Sequence, residues 1–301
     1  MRDGGWVETV GVDARQWSTV DVNRTVLVAV HTVAAAMRLE DVVRLVESDF
    51  RVQVVYTQVP DVFEAGVGAC LRRSGALTIP WDQAIRTPFD LVIGAAPHRL
   101  ESLRAPRLVV PHGFGYSKLW PRLTGYGPDT GRPVYGLDPH SLTAPGQLVF
   151  SAIALSHVDQ LEVLRRECPA AVPSAVVVGD PCYDRILASL SLRDKYRKAW
   201  GVRDGESLVM VTSTWGRRSL LGERRAVLDR LLAELPRTVK VVMTLHPAVW
   251  AGHGPRQINS WLRGHRDAGL GLVGPGAEWR DLLVAADYLV GDLGSVSLYG
   301  A

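Results

Sequence analysis

Short apolar runs alternate with stretches of helical periodicity along most of the chain. Residues 25–33 (TVLVAVHTV) form the first run, and AAAMRLEDVVRLVES behind it places apolar residues at the three-to-four spacing of an amphipathic helix. A second run at 51–59 (RVQVVYTQV) precedes a helix through DVFEAGVGACLRRSG. The stretches 89–96 (FDLVIGAA), 107–111 (RLVVP) and 147–155 (QLVFSAIAL) add further strands. Near-continuous Val/Ile/Leu runs bounded by helices predict strands buried on both faces, which means parallel sheets with crossover helices. Residues 121–146 carry Gly125, Gly127, Gly131, Pro128, Pro133, Pro139 and Pro145 and read as one long loop.

A second series follows. After a helix through VDQLEVLRRECP come the run SAVVVGDP (174–181) and a polar helix around RDKYRKAWG. The strand SLVMVTSTW (207–215), a helix through ERRAVLDRLLAEL and the strand VKVVMTLHP (239–247) continue the alternation. A helix near RQINSWLRGH, the run LGLVGP (270–275), a short helix EWRDLLVAA and the strand DYLVGDLGSVS (287–297) complete it. The pattern predicts an α/β protein of two Rossmann-like domains, residues 1–170 and 171–301, joined by a linker around 168–190. Their strand ends are expected to face each other across a cleft. A length of 301 residues agrees with two domains at roughly 150 residues each. The loop DLGSVS should open a helix, yet the chain reaches Ala301 just beyond it, so the C-terminal domain reads as truncated.

Composition narrows the function only by exclusion. A formal net charge of +3, with no basic cluster interleaved with aromatics, argues against a nucleic-acid partner. The most basic stretch holds Arg217, Arg218, Arg224 and Arg225 and suits phosphate contacts. Cys70, Cys168 and Cys182 lack metal spacing and read as reduced thiols of a cytosolic protein. MRDGGWVETV is not a secretory signal, and no run approaches the roughly 20 apolar residues of a membrane span. His31, His98, His140, His157, His253 and His265 form no ligand set and no Asp-x-Asp pair occurs, so neither a metal nor another cofactor is expected.

The distinctive motifs fall at strand ends. His112-Gly113 follows RLVVP, Gly179-Asp180-Pro181 and Asp184 follow SAVVV, and Ser213-Thr214-Trp215-Gly216 follows SLVMV. His246-Pro247 follows VKVVMTL, and Asp292-Leu293-Gly294-Ser295 follows DYLVG. Carboxyl ends of parallel strands are where open α/β sheets bind ligands. Each motif also has a purely structural reading. His112 either caps a turn against Gly113 and Gly115 or serves as a general base, for which an imidazole is suited. His246 either satisfies its strand end or donates to a phosphate. Ser295 is an N-cap or part of an anion site, STWGRR is a turn or a phosphate loop with Arg217 or Arg218, and Asp184 is a helix cap or a carboxylate of the site.

Taken in this order, the motifs resemble those of the CDP-glycerol glycerophosphotransferase family of teichoic-acid synthesis. More distantly, they resemble other GT-B glycosyltransferases and the UDP-N-acetylglucosamine 2-epimerases. The resemblance runs from about His112 to the end. His112-Gly113 with Lys118 is similar to the family's His-Gly motif and its nearby lysine; Gly179, Pro181 and Asp184 match a Gly-x-Pro-x-x-Asp motif. Ser213, Thr214, Trp215 and Arg217, then His246-Pro247, then Asp292, Gly294 and Ser295 match three further motifs. Gly294 replaces the first serine of the family's serine pair, Lys118 is shifted by a residue, and Tyr299 stands where the family tends to have an acidic residue.

The resemblance implies a transferase with His112 as the base that activates an acceptor hydroxyl. Ser213, Thr214, Arg217, His246, Asp292, Gly294 and Ser295 would then bind a nucleotide-activated donor, CDP-glycerol or a UDP-sugar. A lipid-linked acceptor would bring the protein to the inner face of a bacterial membrane. The rival expectations are a nucleotide-sugar epimerase and a catalytically idle nucleotide-binding protein.

Overall fold

The computed structural model describes residues 19–120 and 132–301. Residues 121–131, which belong to the long loop expected from sequence, lie outside the described residues. The chain divides into two compact units, Met1–Asp180 and Pro181–Ala301.

In the first unit seven parallel strands form one sheet: β1 (Arg24–Val30), β2 (Val52–Gln58), β3 (Thr78–Ile79), β4 (Leu91–Gly94), β5 (Arg107–Val109), β8 (Ala152–Leu155) and β9 (Ala175–Val177). Their order is β3-β2-β1-β4-β5-β8-β9, so the winding reverses between β1 and β4. The reason β1 is apolar on every residue from Val26 onward is visible in its packing. Leu27 and Ala29 enter the core on one face, and Val26, Val28 and Val30 enter the core on the other. Removing a buried leucine such as Leu27 from a core of this kind costs about 2–5 kcal/mol. The helix Val33–Val43 covers one face and is N-capped by Thr32, whose Oγ1 accepts from the Ala35 N–H at 3.1 Å.

The second unit repeats the plan with four parallel strands in the order β12-β11-β10-β13. These are β10 (Ser207–Ser213), β11 (Val239–Leu245), β12 (Gly271–Leu272) and β13 (Tyr288–Gly291). Val209 and Val211 of β10 face one core, Leu208 and Met210 the other. The winding again reverses beside the central strand, here between β10 and β13. No helix among the described residues is long and apolar enough to cross a membrane.

Several elements differ from the sequence reading. The run 147–155 is two strands: β7 (Gln147–Leu148) pairs antiparallel with β6 (Thr143–Ala144), and only Ala152–Leu155 enters the main sheet. Val149 and Phe150, between them, are buried, so the bend is as apolar as the strands it joins. β9 pairs with β8, which carries the first unit to Asp180, past the expected boundary at residue 170. The loop DLGSVS opens a helix, as expected, and the helix Ser295–Tyr299 is complete within the chain before Ala301. Tyr299 is buried against Cys182, Ile186 and Val284, with its ring 5.8 Å from that of Trp279.

Candidate functional site

Each sheet presents a constellation at its carboxyl edge. In the first unit, β5 ends in Val110-Pro111 and leads into His112, which is half-buried. The turn behind it is tight: Gly113 bridges Gly115, whose φ of +59° is left-handed backbone. A Cβ on Gly115 would run into the Gln160 carboxamide. That same side chain accepts the Ser156 N–H at 2.8 Å, tying the His112 turn to the end of β8. From the other side Arg38, 6% exposed, donates from Nε to the Pro111 carbonyl at 3.2 Å and pairs with Asp180. Gly179, just before, has a φ of +82° that glycine tolerates without cost. One buried arginine thus links the His112 strand end to the Gly179-Asp180 strand end.

In the second unit the clamp is a carboxylate. Asp292, after β13, accepts the Thr214 N–H at 3.0 Å and 2.9 Å on its two oxygens, and the Leu220 N–H at 2.8 Å. The buried Ser213 hydroxyl accepts from the Leu221 N–H at 3.0 Å and lies 3.1 Å from the Thr214 carbonyl and 3.4 Å from Asp292 Oδ2. His246 joins by its main chain, whose N–H donates to the Ser213 carbonyl at 2.9 Å. Its imidazole caps the helix Pro247–His253, with Nδ1 accepting the Ala248 N–H at 3.1 Å. A neutral ring accepting at Nδ1 carries its proton at Nε2. Gly294 packs against Thr214: its φ of −84° suits any residue, but a Cβ there would come within 2.5 Å of Thr214 Cγ2. A serine at this position would therefore press against the Thr214 methyl.

Ser213, Thr214, His246, Asp292, Gly294 and Ser295 are thus brought to one edge, with Ser295 as the first residue of its helix. Ser213 and Asp292 use their polar atoms to hold backbone, which makes them scaffold for Thr214 and its neighbours. Arg217 is exposed beyond Gly216, whose φ of +92° turns the loop. It lines a cavity of about 380 Å³ together with Ser219, Arg225, Val249, His253 and Trp261. The His253 and Trp261 rings meet edge to face at 4.9 Å. In the first unit Lys118 is exposed, though partial desolvation lowers its pKa from the ordinary lysine value. Pro181 begins the helix Pro181–Ala188, and Asp184 is exposed in its first turn, where negative charge suits the helix end.

Two residues escaped the sequence reading. Arg38 sits in a helix whose pattern gives no sign that a charged position is buried. His31 belongs to no metal-ligand set, yet it ends the run LVAVH as His112 ends VVPH and His246 ends VMTLH. It lies beyond β1, at the reversal point of the first sheet, and is 1% exposed. Its Nε2 donates to the His98 carbonyl at 2.6 Å, while Nδ1 is buried without a hydrogen-bond partner among the described residues. Burial pushes its pKa below the ordinary histidine value, with the His98 carbonyl opposing more weakly.

No protein-family model matches the chain, and no curated protein matches it in sequence. Solved structures do share its fold. The wall teichoic acid polymerase TagF aligns with a TM-score of 0.60 at 14% identity, covering 93% of this chain and 68% of that one. The UDP-GlcNAc 2-epimerase from Methanocaldococcus jannaschii aligns at 0.55 and 11% identity, covering 92% and 80%. HepE from Anabaena, in complex with UDP-glucose, aligns at 0.54 and 12% identity, covering 92% and 78%. At these identities the likeness is one of fold, and the fold is of GT-B type.

Proposed function

We propose that this chain transfers a group from a nucleotide-activated donor to a hydroxyl acceptor, with glycerol phosphate from CDP-glycerol as the group. The observation that carries this reading is the edge of the second sheet. There Asp292 fixes Thr214, and His246, held as its Nε2–H tautomer, joins through the Ser213 carbonyl, in the same unit as an arginine-lined cavity. In this reading the His246 Nε2–H and the Arg217 guanidinium face the donor phosphates, and Trp261 and His253 offer ring faces to the base. These donors would act where charge grows on the leaving phosphate.

His112 is the base of the reaction. Its imidazole takes the acceptor's hydroxyl proton, and the freed oxygen forms a bond to the phosphorus that carries glycerol. The bridging P–O bond breaks, and a nucleoside monophosphate leaves with the electron pair. Were a sugar transferred, the new bond would form at the anomeric carbon and a nucleoside diphosphate would leave. The second alternative is supported by the fold shared with HepE and the epimerase, and it differs only at the donor.

Thermal-shift binding of CDP-glycerol, UDP-sugars, CDP and UDP tests the proposal. Stabilisation specific to CDP-glycerol is expected, and His112→Ala should keep that binding while losing turnover with a polyol-phosphate acceptor. Stabilisation by UDP-sugars alone would replace the donor. No shift with any of the four would overturn the reading.

A further inference from the structure

The helices Pro255–Trp261 and Arg263–Asp267 stand between two concave surfaces of the second unit. One is the cavity with Trp261 described above. The other, about 550 Å³, is lined by Arg256, Asn259, Ser260, Arg263, Arg266, Asp267 and Leu270. The polar lining residues recur at helical spacing through the break at Leu262, so the two short helices present them on one face. The opposite face is anchored by Ile258 and Leu262, at 0% and 1% exposed, in the core beneath β11. That anchoring fixes where the guanidiniums start from. Arg266 is further held by the Asn259 carboxamide oxygen at 2.8 Å, and Asn259 Nδ2 donates in turn to the Pro255 carbonyl at 2.7 Å.

The lining of this hollow carries three arginines against one carboxylate. Arg193, Arg197, Arg230 and Arg280 of the same unit each engage a carboxylate. Among the described residues no ion pair engages Arg256, Arg263 or Arg266, although all three line the cavity. Asp267 is the lone carboxylate in the lining. Arginines that share a hollow repel each other, and an anion with several acceptor oxygens relieves that repulsion while accepting forked hydrogen bonds.

We propose that this hollow is a phosphate-binding site, separate from the Thr214–His246 edge and independent of the function proposed for it. The ligand is a phosphate group, and its source is either a free phosphate or diphosphate, or an anionic lipid headgroup. Arg256, Arg263 and Arg266 neutralise it, and the Ser260 hydroxyl offers a neutral donor.

The test uses the full chain and three probes: inorganic phosphate and pyrophosphate by titration calorimetry, and sedimentation with phosphatidylcholine vesicles with and without phosphatidylglycerol. Arg256→Gln, Arg263→Gln and Arg266→Gln are made singly and together. A control removes the same charge elsewhere on the unit through Arg203→Gln, Arg230→Gln and Arg237→Gln. Each single variant should weaken binding about tenfold. The triple variant should abolish it with an unchanged melting curve, and the control should bind as before. Loss of phosphate or pyrophosphate binding assigns a free ligand. Loss confined to vesicles containing phosphatidylglycerol assigns a headgroup. Equal losses in the triple variant and the control, or no binding of any probe by the unaltered chain, would overturn the proposal. Anion binding that persists in the triple variant and vanishes in His246→Ala would overturn it too, by placing the anion at the other edge.

Discussion

The two sheets reverse their winding at equivalent places, and the polar group at each reversal is treated in opposite ways. At β10/β13 the Asp292 carboxylate is saturated by the Thr214 and Leu220 N–H groups. At β1/β4 the His31 ring has one nitrogen bonded and the other buried without a partner among the described residues. A saturated carboxylate builds a rigid platform, since moving any loop of the edge breaks charge-assisted hydrogen bonds. An orphaned imidazole nitrogen leaves a desolvation cost inside the fold. The second unit therefore spends its polar side chains on placing loops, while the first carries strain in hydrogen bonding at the position where open sheets bind ligands.

The largest effect should come from breaking the satisfied side. Asp292→Ala leaves the Thr214 and Leu220 N–H groups without their acceptor, and urea unfolding should record a loss of about 3–5 kcal/mol. Asp292→Asn, which keeps one acceptor oxygen, should lose less. A loss below about 1 kcal/mol for the alanine variant would mean that the loops hold themselves. Next in size is Gly294→Ser, which drives a Cβ toward the Thr214 methyl and should cost about 1–3 kcal/mol. Thr214→Ser in the same chain removes that methyl and should recover most of the loss, read as a double-mutant cycle.

The smallest effect sharpens the other side. His31 titrates near 6.5 when unfolded and lower when folded. The unfolded chain therefore binds the proton first as the pH falls. Stability is complete above about pH 6.5 and declines below it by at most about 1.4 kcal/mol per pH unit, until the folded ring also protonates. His31→Gln should flatten this part of the profile. An identical slope in both proteins would assign the acid sensitivity to other groups.

Much of the fold was legible because buried parallel strands write themselves as apolar runs. β2, β10 and β11 lie within the stretches expected to hold them, and β1 begins one residue before its own. The reading failed where apolarity stopped meaning strand. Val149-Phe150 is a buried bend, and β3 is too short to stand out from the loops around it. The strand-end motifs were legible because they abut those runs. The use of each side chain was not: Asp292 meets N–H groups from far earlier in the chain, and Arg38 reads as an ordinary outward helix position until Asp180 is brought to it.

The strand order also sets a schedule for synthesis. β2 pairs with β1, β3 with β2, β4 with β1, β5 with β4, β8 with β5 and β9 with β8. Each arriving strand finds its partner already made, and β11, β12 and β13 follow the same rule from β10. The emerging chain can add strands at the edges of a growing sheet at the pace of translation, about 5–20 residues per second. No strand among these has to hold its place open for one that the ribosome has yet to deliver.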